Sequence, residues 1–408
     1  MAKKHARPKP VSGNRYLVFS DLHADNLLPL SVYNEDGLGD RLVDAVEALT
    51  RIWRVAEEEG VQAILFLGDL FNRPRVDSMT MTTIGRALYK LQDAFQLPLV
   101  LLPGNHDSAG RLTTSSTVDV FGALALPHAI IARDEEPAVW DADPTFCFVA
   151  KRYDRPDVAG PNLAAHLASV PDPSKTILLL HHDIKGAKVG SWMTEGLDRD
   201  VLKRFRLVLS GHYHQPQVLT PSGERIEPSP EFESVPFGDL DCGTVVYIGA
   251  PQQIDFGDVG GARGVWLLET FPTGKVSLEF RQLDGPRFAS VDFEHDASYA
   301  DAVKPLAEPA QVGAKYVRLR VSGPKHALDA LDREQYEKTA RLALDSVPRA
   351  FKWEVDVTAH HKARLALDTH LGIDALIEAY VNSDLVALGE LDPEDVLAYG
   401  RAVLEDVR

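Results

Sequence analysis

The chain has 408 residues, 45% of them hydrophobic and 25% charged, a balance that excludes a disordered or fibrous protein and leaves room for two or three domains. Its formal net charge of -17 excludes nucleic-acid binding by bulk electrostatics, so a DNA substrate would need local Lys/Arg patches, bound cations or a partner to supply positive charge. No apolar run reaches the roughly eighteen residues of a membrane-spanning helix, and two cysteines, Cys147 and Cys242, make no disulfide framework, which suits a reducing cytoplasm.

The start, MAKKHARPKP, is basic and lacks the apolar centre of a signal peptide, so residues 1–14 read as a disordered arm. RYLVFSD reads as a strand. DRLVDAVEALTRIWRVAEEEG reads as a helix, because Leu42, Val46, Leu49, Trp53 and Ala56 recur every three or four residues and Gly60 stops it. VQAILFLGD is a continuous apolar strand, SMTMTTIGRALYKLQDAFQ a helix, and LPLVLLPGNHD a strand again. Strands that are apolar throughout and alternate with helices imply a buried, largely parallel sheet. AIIAR, TFCFVA, TILLLHHD and RLVLSGHYH add strands, and TVVYIG, GVWLLE and KVSLEF look antiparallel. The pattern predicts a mixed α/β sandwich over 15–285. A small α+β module follows over 286–361, where KYVRLRVSG and FKWEVDV enclose a helix near 332–345, and the chain is helical from 362 to 408.

Polar residues gather where these apolar strands end, in five clusters: Asp21, His23 and Asp25; Asp69, Asn72 and Arg73; Asn105, His106 and Asp107; His181 and His182; His212 and His214. Ligands bind at the carboxyl ends of strands in open α/β sheets, so residues almost two hundred apart can converge on one site. A carboxylate such as Asp69 can bridge two ions, Asn105 offers a neutral oxygen, and the histidines offer imidazole nitrogens. Mixed nitrogen and oxygen donors suit Mn²⁺, Fe or Zn²⁺ better than Mg²⁺ or Ca²⁺. Two such cations can clamp a phosphate and activate a bridging water. Each cluster alone is a common accident; the five together, in this order and at strand ends, are not.

The five elements in order resemble the signature of the calcineurin-like metallophosphoesterase superfamily, over about residues 15–270. The resemblance implies a four-layer α/β/β/α sandwich. It implies a first metal held by Asp21, His23, Asp69 and His214, and a second held by Asp69, Asn105, His181 and His212. His182 is the alternative to His181, which is favoured as the first residue after TILLL. His106 resembles the family's catalytic histidine, which contacts the scissile phosphate and protonates the leaving oxygen, with Asp107 available to orient it. A narrower stretch, YIGAPQQIDFGDVGGARGVWLLE (Tyr247–Glu269), is similar to the Y-x-G-S/A-P-x…F-G-E…G segment of SbcD-type nucleases. That resemblance implies a Mn²⁺-dependent DNA nuclease subunit, dimeric, paired with an SbcC-type ABC ATPase, with residues 286–361 as the capping domain. The departure is GDLFN where these nucleases read GDLFH. Asn72 cannot titrate, Arg73 or Arg75 would have to compensate in holding substrate, and the exonuclease–endonuclease balance is open.

Two further expectations follow. Met81, Ile84, Leu88 and Leu91 form an apolar stripe that either packs on the chain's own sheet or pairs two copies about a two-fold axis. The helices at 362–408, with Ile373, Leu376, Ile377 and Tyr380 on one face and Asp392 and Pro393 opening the second, either fold back on the capping domain or dock on the ATPase. A phosphoesterase for small molecules, which the acidic charge favours, and a non-catalytic scaffold are the competing functional classes.

Overall fold

A computed structural model describes residues 13–108, 115–132, 138–140, 143, 145–150, 167, 170, 172–190, 192–294, 314–322, 334 and 350–356. The arm at 1–12 and the helices expected at 362–408 lie outside the described residues, as does all but residue 334 of the helix expected near 332–345. The chain divides into two units: Met1–Ala289 with Gly313–Val317 and Val347–Phe351, and Ser290–Val312 with Arg318–Ser346 and Lys352–Arg408.

Two seven-stranded sheets dominate the first unit. Numbering strands in chain order, the first sheet holds β1 (Asn14–Phe19), β2 (Ala63–Leu67), β3 (Leu99–Leu102), β4 (Ala129–Ile131), β13 (Ser234–Asp239), β15 (Gly264–Thr270) and β16 (Val276–Gln282), in the order β13-β16-β15-β1-β2-β3-β4. The second holds β5 (Ala138–Trp140), β6 (Cys147–Ala150), β7 (Thr176–His181), β10 (Leu207–Gly211), β11 (Gln217–Leu219), β12 (Arg225–Ile226) and β14 (Val245–Tyr247), in the order β12-β11-β14-β10-β7-β6-β5. A short hairpin pairs β8 (Lys188–Val189) with β9 (Trp192–Met193), and β17 (Phe288–Glu294), β18 (Tyr316–Ser322) and β19 (Ala350–Asp356) form a third sheet.

β1 to β4 run parallel, and so do β6, β7, β10 and β14. TVVYIG therefore differs from expectation: it lies parallel to β10 on one edge and antiparallel to β11 on the other. GVWLLE and KVSLEF do pair antiparallel, as β15 and β16. The apolar strands are continuous in sequence because both of their faces are buried. Tyr16, Val18, Leu65 and Leu67 point between the sheets, where they meet Phe148, Ile177, Leu179 and Leu209. Their neighbours Leu17, Phe19, Ile64 and Phe66 point the other way, onto the helices α1 (Asp40–Glu58) and α2 (Ser78–Phe95).

α1 buries Leu42, Leu49, Trp53 and Ala56 on that face, each large side chain stabilising the fold by roughly 1.5–3 kcal/mol, and ends before Gly60, whose positive φ of 62° turns the chain. α2 starts where the Asp77 side chain accepts the Thr80 amide at 3.0 Å. Its stripe belongs to the chain's own core: Ile84, Leu88 and Leu91 are buried and Met81 packs against the same cluster. It is thus not an exposed apolar surface for a second copy. The far face of the second sheet is covered by Ile184, Leu202 and Phe205 with their neighbours.

Candidate metal centre

The strand-end residues turn sharply. Asp21, His23, Asp69 and His212 have φ of 54°, 48°, 58° and 94°, a left-handed backbone that side chains with a Cβ rarely adopt and that costs of order 1–3 kcal/mol each. The turns are held by the Asp21 amide on the Gly68 carbonyl (2.9 Å) and the His23 amide on the Asp69 carbonyl (3.0 Å). Gly104 permits the close approach of the third loop, since a Cβ there would strike the Asp69 carboxylate. Strain and close packing aim all these side chains into one polar pocket.

Within it, electron-pair donors face one another. His23 Nε2 lies 3.2 Å from His214 Nε2, 3.6 Å from Asp69 Oδ2 and 3.9 Å from Asp21 Oδ1. His181 Nδ1 sits 2.7 Å from the Leu67 carbonyl, which must accept its proton, so Nε2 is the nitrogen that faces the pocket, 3.2 Å from Asp69 Oδ2 and 3.0 Å from Asn105 Oδ1. His212 Nδ1 comes to 2.9 Å from the same Asn105 oxygen. Three groups could each hold a cation: Asp21, His23 and His214; Asp21, Asp69 and His181; and His23, Asp69 and His106. Asp21 and Asp69 each appear in two of them. His182 appears in none; its amide donates to Ser210 Oγ and its carbonyl accepts the Tyr247 hydroxyl.

The chain matches the calcineurin-like phosphoesterase family over residues 15–216. Residues 15–216 form a calcineurin-like phosphoesterase domain. The chain is also similar to the DNA double-strand break repair protein Mre11 of Sulfurisphaera tokodaii, 26% identical over 219 residues, which is 53% of this chain and 53% of that protein, so the match spans about half the relative's length. Among solved structures it is similar to a dimetal phosphatase from Danio rerio (12% identity, 67% of this chain, 100% of that one, TM-score 0.37). The Pseudomonas putida nuclease MPE is another (16% identity, 62% and 84% coverage, TM-score 0.27).

The electrostatics of the phosphoesterase domain's pocket suit cations. Burial, reinforced by neighbouring histidines, lowers His23 and His212 to about 3, so both imidazoles stay neutral, the form that donates to a metal. Burial also pushes His181 down, but the Asp69 carboxylate outweighs it and raises the imidazole to about 9: a proton takes the place a cation would fill. Burial pushes Asp21 up, and His181 pulls it back only in part. Facing lone pairs of two carboxylates, an amide oxygen and several imidazoles repel unless positive charge lies between them, so the residues present fit divalent cations. The family uses dinuclear metal sites.

The remaining predicted residues fall around this pocket. His106 lies edge-on to His23 with ring centroids 4.7 Å apart; its amide donates to Asp69 Oδ1 (2.8 Å) and its Nδ1 lies 2.7 Å from the Asn72 carbonyl. Asp107 does not orient that imidazole. Its fully buried carboxylate accepts the amides of Leu70, Phe71 and Gly104 at 3.2, 2.9 and 2.9 Å, pinning the second loop to the third. Burial and the nearby Asp69 charge raise its carboxyl to about 7 against the pull of those amides. The orienting group for His106 is instead the main chain of Asn72. Asn72 and Arg73 are gathered by Asp25, whose Oδ2 accepts Asn72 Nδ2 at 3.2 Å and Arg73 Nε at 2.6 Å.

The tertiary structure adds Asp258, which the motif reading passed over. Its Oδ1 lies 3.2 Å from His214 Nδ1 and 2.8 Å from the Arg263 guanidinium. A carboxylate behind a ligating imidazole fixes the tautomer and aims Nε2 inward. The signal was present in FGDVGGARG, as an acid and an arginine in a glycine-rich loop, but not its distance from His214.

Proposed function

We propose that this chain is a Mn²⁺-dependent DNA nuclease, the catalytic subunit of an SbcD-type complex that works in the cytoplasm on DNA ends or hairpins. What carries the reading is that the SbcD-like segment reaches the metal centre: Asp258, from the FGD stretch, braces His214. The similarity to Mre11, a protein named for double-strand break repair, points the same way.

In this reading Asp21, His23, Asp69 and His214 would hold one cation, and Asp69, Asn105, His181 and His212 the other. Bound there, the pair would supply Lewis acidity for phosphodiester hydrolysis and lower the pKa of water. Hydrolysis joins a water oxygen to phosphorus, releases one water proton to solvent and breaks the bond to the leaving sugar oxygen. His106 gives that oxygen a proton, its ring held by the Asn72 carbonyl at Nδ1. Asn72 and Arg73, steered by Asp25, bear on the flanking phosphate. The SbcC-type ATPase partner supplies DNA grip that a chain of net charge -17 lacks; that partner and a homodimer rest on the resemblance alone.

The test sets linear and hairpin DNA beside a chromogenic phosphodiester, all with Mn²⁺. A higher kcat/KM on DNA is expected. Turnover of the chromogenic ester with DNA left intact would assign the site to small phosphoesters, the reading that the acidic charge favours.

A further inference from the structure

Beside the metal centre lies an open cleft of about 500 Å³ that takes His212 and His214 as part of its wall. Lys188, Val189 and Gly190 of the β8–β9 hairpin line it as well. The register of that hairpin places Val189 opposite Trp192, and residues directly opposite in an antiparallel pair share one face. Val189 lines the cleft, and Trp192 is the cross-strand partner of Val189 beside it.

Trp192 is 78% exposed, whereas Trp53 and Trp266 are fully buried. Met193 and Val189 on the same hairpin are exposed as well. An aromatic ring held in water is an unsatisfied hydrophobic surface, and clustered apolar exposure marks a binding site. The hairpin is not loosely attached. Its base is clamped by the buried Gln217, whose Oε1 accepts the Lys188 amide at 2.9 Å and whose Nε2 donates to the Lys188 carbonyl at 3.0 Å. Thr194 closes it, its amide on the Ala187 carbonyl and its hydroxyl on that of Ile184.

The charges of the cleft select its occupant. Three acids line it, and all are engaged: Asp258 by Arg263 and His214, Glu227 by Arg225, Asp255 by the Gly257 amide. Lys188 is the cation in the wall with no ion-pair partner among the described residues. A flat aromatic face, one free ammonium and an adjoining phosphoester-cleaving centre match a nucleotide unit: base, phosphate and scissile bond.

We infer that the hairpin Lys188–Met193 is a stacking platform for a single-stranded nucleotide next to the scissile phosphate, with Trp192 taking the base and Lys188 its phosphate. This rests on the nuclease reading above. It adds that the strand enters unpaired, because a base can lie on Trp192 only once it has left its partner. Stacking on an aromatic side chain tolerates any sequence, so the platform would grip the strand without reading it.

The test uses the full chain with Mn²⁺ and a short single-stranded oligodeoxynucleotide, alongside a series carrying one abasic nucleotide at successive positions. For the wild type, one abasic position should lower kcat/KM about tenfold, within the range expected for a single stacked base. Trp192→Ala should show that loss already on the intact strand and no further loss at the abasic position, while Trp192→Phe keeps most of the wild-type rate. Tryptophan fluorescence should be quenched by the strand in the wild type and not in Trp192→Phe. Equal rates for wild type and Trp192→Ala, or a wild type indifferent to every abasic position, would overturn the platform and leave the nuclease intact. A wild type that cuts no oligonucleotide at all while hydrolysing a chromogenic phosphodiester would instead overturn the nuclease reading beneath it.

Discussion

Two buried carboxylates of the first unit, Asp69 and Asp143, have opposite surroundings. Asp143 is met by donors on every side. Asn14 Nδ2 and the Tyr16 hydroxyl reach Oδ2 at 3.0 and 2.9 Å, Thr270 joins them, and the amides of Thr145 and Phe146 reach Oδ1 at 2.7 and 3.1 Å. Asp69 accepts one amide, from His106, and otherwise faces imidazole nitrogens. A carboxylate saturated with donors stabilises a fold by itself; one that faces other lone pairs is stable only with a cation or a proton between them. The first arrangement is structural, the second is a site.

The largest effect should come from breaking the second. Asp69→Asn keeps an oxygen for the His106 amide but removes the shared charge. It should lower phosphodiester turnover at least about 10³-fold, as expected when several kcal/mol of charge stabilisation are lost. Metal titration should show the wild type gaining thermal stability as Mn²⁺ is added and Asp69→Asn gaining little. Full turnover with full metal content in the variant would end the two-metal assignment.

Asp143→Ala should do the reverse: roughly 3 kcal/mol of folding stability lost in denaturant titration, with metal content unchanged. The deficit should depend on pH in a set direction. Burial raises the Asp143 carboxyl, but hydrogen bonds from Asn14, Thr270 and others outweigh it and hold it below the ordinary carboxylate range. A depressed folded value means that the stabilisation is complete above the unfolded value of about 3.9 and is lost as pH falls through the folded one. Wild type and variant should therefore differ by a constant amount near neutrality and converge in acid. A gap that widens on acidification contradicts the account.

The smallest effect sharpens the boundary between the two regions. Asp258 has donors, like Asp143, yet one of them is the imidazole of His214. Asp258→Asn should weaken Mn²⁺ binding by about 10–100-fold, the usual consequence of loosening a ligand's support, and should also lower the unfolding midpoint of metal-free protein, because the buried Arg263 guanidinium loses its carboxylate partner. Unchanged metal affinity would show that His214 needs no brace.

Much of this was legible in the chain. The strands beneath the site are continuous apolar runs, so the places where they stop, at Asp21, Asp69, Asn105, His181 and His212, stand out against them. α1 and α2 are legible for the same reason, an apolar period that matches 3.6 residues per turn. Short pieces were not: the β8–β9 hairpin has two residues per strand, too few for any period to register. The direction of TVVYIG was not legible either, since a central strand can be parallel on one edge and antiparallel on the other.

The sequence by itself determined the chemistry of the site: which carboxylates, imidazoles and amide oxygens end the strands, and that such a donor set calls for divalent cations. Only the tertiary structure decided which polar residues belong to it. Asp107 adjoins His106 in the chain, yet its carboxylate turns to amides 36 and 37 residues away. Asp258 meets His214 across 44 residues, and Asp143 meets Tyr16 across 127. A side chain's chemistry is local, but the partner that makes it a ligand, a clamp or a brace comes from a different strand end, and sheet packing alone brings the two together.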